Sequence, residues 1–161
     1  LAPGRPIEVG DPAGSFTWHS RPVERHVLFV AGGTGIAPIR SMIGQAIEEG
    51  YRGRIVLVYS ARLESDLAYA SEFAALAREG RIEFIAKATR EAASRAPGEP
   101  GRLDRHDLAP IVVEADTLCY LCGPVSLVEE VPAILVALGV APSRIRTESW
   151  WDGTRRPPAS A

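Results

Sequence analysis

The sequence predicts an α/β fold, a doubly wound sheet of five parallel strands with helices on both faces. Apolar runs of strand length recur near residues 27, 55, 82 and 117, a last strand is read over residues 144–150, and three of the intervals between them carry apolar residues at helical spacing. Strand alternating with helix is the pattern of βαβ units. The first strand also runs directly into a glycine-rich turn and a helix start, the punctuation such a unit needs.

Taken in order, residues 1–22 do not look like the start of such a domain. Ile7-Glu8-Val9 and residues 15–19 read as two short strands around Gly10-Asp11-Pro12-Ala13-Gly14, a β-hairpin. The first sheet strand follows as Val27-Leu28-Phe29-Val30-Ala31. It ends in Gly32-Gly33-Thr34-Gly35, and Pro38 opens a helix with its stripe at Ile39, Met42, Ile43, Ala46 and Ile47. Glycines at such a turn bring bare N–H groups close to a ligand, and the helix aims its positive dipole end at the same point, so an anion is expected there. A plain strand-to-helix connection also favours glycine. The spacing is not GxGxxG, because Pro38 stands where its last glycine belongs, and the turn has no P-loop lysine.

The second strand, residues 54–59, ends at Ser60-Ala61-Arg62. In a doubly wound sheet this end lies beside the adenosine ribose of a dinucleotide, where an acid takes two ribose hydroxyls and a base accepts a 2′-phosphate; the first charge here is Arg62. Asp66 then begins a helix with Tyr69, Phe73 and Leu76 as core residues and Gly80 as its stop. A third strand over residues 82–87 leads into Thr89-Arg90. Residues 92–101, rich in proline, glycine and alanine, read as a flexible loop, and Asp104 caps a short helix. The fourth strand carries Cys122-Gly123-Pro124 at its end. Ser126 and Glu129 make a capping box for a helix with its stripe at Val128, Val131, Leu135 and Leu138, and Pro132 should kink it or break its first turn. Residues 144–150 form the last strand.

Composition excludes several classes. The 161 residues carry a net charge of -2 without a basic block, which disfavours nucleic acid and anionic membrane as partners. No apolar run approaches the ~20 residues of a membrane span, and no signal-peptide pattern is present, so a cytoplasmic protein is expected. Cys119 and Cys122 form a CxxC, but residues three apart on a strand point to opposite faces, so neither a disulfide nor a metal site is expected. His19, His26 and His106 lack ligand spacing, and no metal is expected. The first residue is Leu1 rather than methionine, which reads as a piece of something longer.

Four motifs, in order over residues 27–150, now carry a resemblance: Ala31-Gly32-Gly33-Thr34-Gly35-Ile36-Ala37-Pro38; Tyr59-Ser60-Ala61-Arg62; Ala88-Thr89-Arg90-Glu91; and Tyr120-Leu121-Cys122-Gly123-Pro124 with Arg146-Thr147-Glu148-Ser149-Trp150 beyond it. Together they resemble the NAD(P)-binding domain of the ferredoxin-NADP reductase superfamily, as in bacterial FAD- and NAD(P)-dependent oxidoreductases. The resemblance implies the strand order 3-2-1-4-5. It also implies that residues 1–22 are the end of a flavin-binding β-barrel, residues 23–151 the NAD(P)-binding domain and residues 152–161 a disordered tail. The Arg-x-Tyr-Ser motif that holds the flavin in the family has no counterpart here.

The resemblance assigns roles as well. Gly32, Gly33, Thr34 and Gly35, with Ile36, Ala37 and Pro38, would hold the pyrophosphate. Ser60, Ala61, Arg62, Thr89 and Arg90 would hold the adenosine end, the hydroxyl and guanidinium groups favouring NADPH over NADH; solvated surface arginines are the alternative. Cys122, Gly123, Pro124 and Glu148 would border the nicotinamide, with Cys122 and Glu148 at the reaction, although small-residue packing equally requires a compact Cys122. Trp150 would lie over the flavin ring or plug the surface where the barrel docks. The expected function is the NAD(P)H-binding module of a flavoprotein reductase, passing hydride from NADPH to FAD, with an iron-sulfur, haem or oxygenase protein as electron acceptor. The alternative is a nucleotide-binding or regulatory module with no redox activity of its own.

Overall fold

The computed structural model of the chain describes residues 4–8, 10–11, 14–19, 22–90, 102–112 and 116–150. Five strands, β1 (His26–Gly32), β2 (Arg54–Ala61), β3 (Glu83–Ala88), β4 (Leu118–Pro124) and β5 (Ile145–Trp150), form one parallel sheet in the order β3-β2-β1-β4-β5. Among the described residues four α-helices connect them: α1 (Ile36–Glu48), α2 (Ala70–Arg78), α3 (Arg105–Leu108) and α4 (Val125–Ala137). No described helix is long and apolar enough to cross a membrane.

The three central strands, β2, β1 and β4, read as largely apolar runs because both faces of the sheet are covered there, yet parity still sorts their side chains. Val27, Phe29, Ala31, Leu57, Tyr59, Tyr120 and Cys122 share one core with Ile39, Met42 and Ile43 of α1 and Phe73 of α2. Leu28, Val30, Val56, Val58, Cys119 and Leu121 share the other with Leu108 of α3 and Val131 and Leu135 of α4. Cys119 and Cys122 therefore lie in different cores and form no disulfide with each other. Burial pushes the Cys119 thiol up to about 12.

The beginning of the chain differs from expectation. Among the described residues no strand precedes His26, so no hairpin strand is seen among them. A two-stranded hairpin alone is marginal, and Phe16 and Trp18 pack on the sheet instead. Trp18 is buried against Phe29 and Tyr51, its indole N–H donating to Glu49 at 3.0 Å, and Phe16 packs edge-on against Tyr120.

Three helix starts also move. α1 begins at Ile36, behind a 3-10 turn over Gly33–Gly35, so Pro38 is its third residue, still within the first turn where no N–H is needed. The helix expected from Asp66 begins only at Ala70. A separate 3-10 turn, Glu64–Asp66, precedes it, and Tyr69 adopts a left-handed backbone with φ of 61° that ends any continuity between the two. α4 begins at Val125 with Pro124 as its N-cap, which places Ser126 inside the first turn, and no side-chain cap forms there. Pro132 sits within an unbroken α4; burial of Val131 and Leu135 on either side offsets the backbone bond it removes. The Asp104 cap forms as expected, its carboxylate accepting from the N–H groups of His106 and Asp107 at 2.8 and 3.0 Å. Those two bonds hold its pKa below the usual carboxylate value. The loop expected over residues 92–101 and the tail over 152–161 lie outside the described residues.

Candidate functional site

From β1 the chain moves outward to β2 and β3, then returns past β1 to place β4 on its other side. That reversal opens a crevice at the carboxyl ends of β1 and β4, where doubly wound sheets bind ligands. Here the two segments are packed so closely that three glycines leave little room for a Cβ. A Cβ on Gly32 would lie 2.7 Å from Pro124 Cδ and 2.8 Å from Leu127 Cδ1, and one on Gly35 would lie 2.1 Å from the Cys122 carbonyl oxygen. On Gly123 it would sit 3.0 Å from Gly32 Cα. Gly33 is different: it has φ of +53° and open space where a Cβ would point. Two glycines of the turn thus serve the packing of the crevice, and one supplies the left-handed bend.

Beside that crevice lies an open cleft of about 810 Å³. Its walls bring together Gly32, Gly33 and Thr34 from the turn, Ser60, Ala61 and Arg62 after β2, Thr89 and Arg90 after β3, and Pro124 after β4. The convergence follows from register, since Gly32 pairs with Ser60 and Ala61 with Ala88. Two main-chain bonds then extend the ladder past the strand ends, from Thr89 N–H to Ala61 at 2.9 Å and from Arg90 N–H to Arg62 at 3.0 Å. Arg62 and Arg90 are thereby fixed as neighbours with exposed side chains. The buried Tyr59 hydroxyl shapes the loop below them: it accepts from Ala68 N–H at 3.2 Å and donates to Asp66 O at 3.5 Å. Burial raises the pKa of that hydroxyl and keeps it a neutral donor.

Several expected site residues stand outside the cleft lining. Gly35, Ile36, Cys122 and Gly123 are buried, Cys122 completely. Ala37 and Pro38 lie on the first turn of α1, and Glu148 is exposed on β5 as the register partner of Cys122. Of Trp150 only the backbone is described.

The cleft has, in turn, walls that the sequence reading did not assign to it: Asp66, Arg102, Leu103, Ser126, Leu127, Glu130 and Val131. Asp66 and Ser126 read as helix-start residues, and Val131 as part of a core stripe. Arg102, at the end of a proline- and glycine-rich stretch, carried no local signal. Behind this wall is the chain's one lysine, Lys87, which is 3% exposed, ion-paired with buried Asp107 and donating to the Arg102 carbonyl at 3.3 Å. Arg102 itself pairs with Glu130.

Comparison with known proteins agrees with this geometry. Residues 29–132 match the family model described as the oxidoreductase NAD-binding domain. The chain is 32% identical over 140 residues to ferredoxin–NADP reductase B of Sorangium cellulosum, covering 81% of this chain and 57% of that protein. It is 27% identical over 157 residues to a Ralstonia reductase component of naphthalene 1,2-dioxygenase and salicylate 5-hydroxylase systems, covering 94% and 46%. Among solved structures, the FAD/NAD-binding domain of nitric oxide dioxygenase from Vibrio cholerae superposes with a TM-score of 0.74 at 26% identity, covering 86% of this chain and 56% of that one. The chain spans about half the length of these relatives. Its sheet order, its glycine turn and this match make it a member of the oxidoreductase NAD-binding domain family.

Proposed function

We propose that the cleft binds NADP(H) and that the chain is the coenzyme-binding module of a flavin-dependent reductase serving an iron-sulfur, haem or oxygenase acceptor. The observation that carries the reading is the placement of two exposed guanidinium groups, Arg62 and Arg90, on the same cleft as Gly32, Gly33 and Thr34 of the glycine turn, which leads into α1. The turn's N–H groups and the α1 dipole receive the pyrophosphate. Arg62, Arg90 and the Thr89 and Ser60 hydroxyls receive the 2′-phosphate through charge-assisted bonds. When bound, the coenzyme would supply a hydride for reduction of a flavin. The chain's own contribution is position. Gly123 and Gly32 keep the crevice narrow, Cys122 packs in the core beneath it, and exposed Glu148, one strand over, borders the nicotinamide. Two cysteines that form no disulfide fit a reducing compartment such as the cytoplasm.

Calorimetric titration with NADP+ and NAD+ tests the reading. NADP+ should bind more tightly, adenosine 2′,5′-bisphosphate should compete, and R90Q should weaken NADP+ about tenfold while leaving NAD+ nearly unchanged. Absence of heat with either coenzyme defeats it.

A further inference from the structure

α4 is apolar almost all the way round. Of its residues only Ser126, Glu129 and Glu130 are polar, yet only Val131 and Leu135 are fully buried. A helix with apolar residues on every face is normally one that is covered on every face. The outward face of α4 is instead a stripe of Glu129, Ala133, Val136 and Ala137, spaced i, i+4, i+7 and i+8, and all four are exposed, Val136 by 45%.

The two ends of this stripe carry opposite charge. Glu129 stands at one end, where the capping box expected with Ser126 does not form. At the other end stands Arg105 of α3, itself exposed, whose guanidinium donates to the Ala137 carbonyl at 3.4 Å. A cation there also suits the negative end of the helix dipole.

We propose that this face of α4 pairs with the same face of a second copy of the chain, the two helices antiparallel about a two-fold axis beside Ala133. Glu129 lies four residues before Ala133 and Ala137 four residues after it. Antiparallel pairing therefore sets Glu129 opposite the partner's Ala137, and so against the partner's Arg105. The two-fold axis repeats that pair on the other side of the contact. Parallel pairing would bring the two Glu129 carboxylates together instead. Ala133 at the centre lets the two backbones approach, and Val136 of each helix enters the groove beside the partner's Ala133. Leu127 and Val131, which line the cleft, lie on the opposite side of α4, so the pairing stands apart from the coenzyme reading. One helix pair is smaller than a standard interface of about 1,600 Å², so the dimer is weak, with a dissociation constant on the order of 0.1 mM.

Sedimentation velocity on the whole chain, from about 10 μM to about 1 mM, brackets that constant and tests the proposal. Wild-type protein should pass from monomer to dimer across the range. V136D should raise the dissociation constant at least about tenfold, because it buries a charge in the contact. E129R and R105E should each raise it about three- to tenfold by setting like charges together, and E129R/R105E should return it to within about threefold of wild type. Thermal melts verify folding; E129R and V136D change only exposed side chains and carry the test by themselves should R105E unsettle the end of α4. Wild-type protein that stays monomeric throughout overturns the proposal. So does a dimer that V136D leaves intact, which places the contact elsewhere. Single charge reversals without effect, or a double reversal no better than the weaker single variant, deny the antiparallel pairing and overturn it as well. Assembly beyond a dimer does the same, because a two-fold contact closes on itself.

Discussion

Gly35→Ala separates packing from ligand contact at the glycine turn. The new methyl carbon would stand 2.1 Å from the Cys122 carbonyl oxygen, 2.4 Å from its carbonyl carbon and 2.7 Å from Gly123 N. These are all main-chain atoms of β4, so no rotamer change relieves the clash. Ordinary contact begins at 3.4 Å, so the turn and β4 have to part by about 1.3 Å. α1 starts at the next residue and holds Ile39 and Ile43 with no exposed surface, so it must move with the turn and open the core. A cost of about 3 kcal/mol follows from displaced core packing. In a domain of this size that lowers Tm by roughly 6–12 °C. Gly33→Ala is the control: its methyl group meets nothing within 4 Å, and the left-handed backbone costs a side chain about 1–2 kcal/mol. G33A should therefore melt closer to wild type yet lose coenzyme affinity, because its methyl group enters the cleft. Circular-dichroism melts and calorimetry on both variants decide it. A G35A protein as stable as wild type, or less destabilised than G33A, refutes the reasoning.

Two further outcomes follow from buried polar groups. K87M leaves the Asp107 carboxylate without its counter-charge at 6% exposure and should destabilise the fold by about 3–5 kcal/mol in urea titration, with K87M/D107L recovering most of the loss. Tyr51 donates to Glu24 O at 2.8 Å, and its pKa is raised from 10.0 to about 12, first by burial and then by Glu24 and Asp116. The folded state thus favours the neutral phenol, so its stabilisation is intact below pH 10 and lost as pH rises towards 12. Alkaline unfolding should show a component in this window that Y51F removes.

How much was legible in the sequence varies with the range of the interaction. Strand identity and parity could be read because each apolar run is short, β-branched and bounded by glycine or proline. The Asp104 cap needed only a carboxylate placed ahead of two free N–H groups. Helix starts were less legible, because they depend on neighbours. Tyr69 breaks the helix expected from Asp66 through a backbone conformation that no propensity assigns to tyrosine. Pro124 takes the cap that Ser126 seemed suited to by spacing.

The sequence by itself determined the alternation of strands and helices, the glycine turn and the two arginines that follow β2 and β3, because each is written in consecutive residues. Only the tertiary structure decided how closely Gly32, Gly35 and Gly123 pack against the neighbouring segment, where Phe16 and Trp18 pack, and that Lys87 lies buried behind Arg102. Those facts depend on segments tens of residues apart meeting at the crevice where the strand order reverses. No local pattern encodes the distance between two chains that only folding brings into contact.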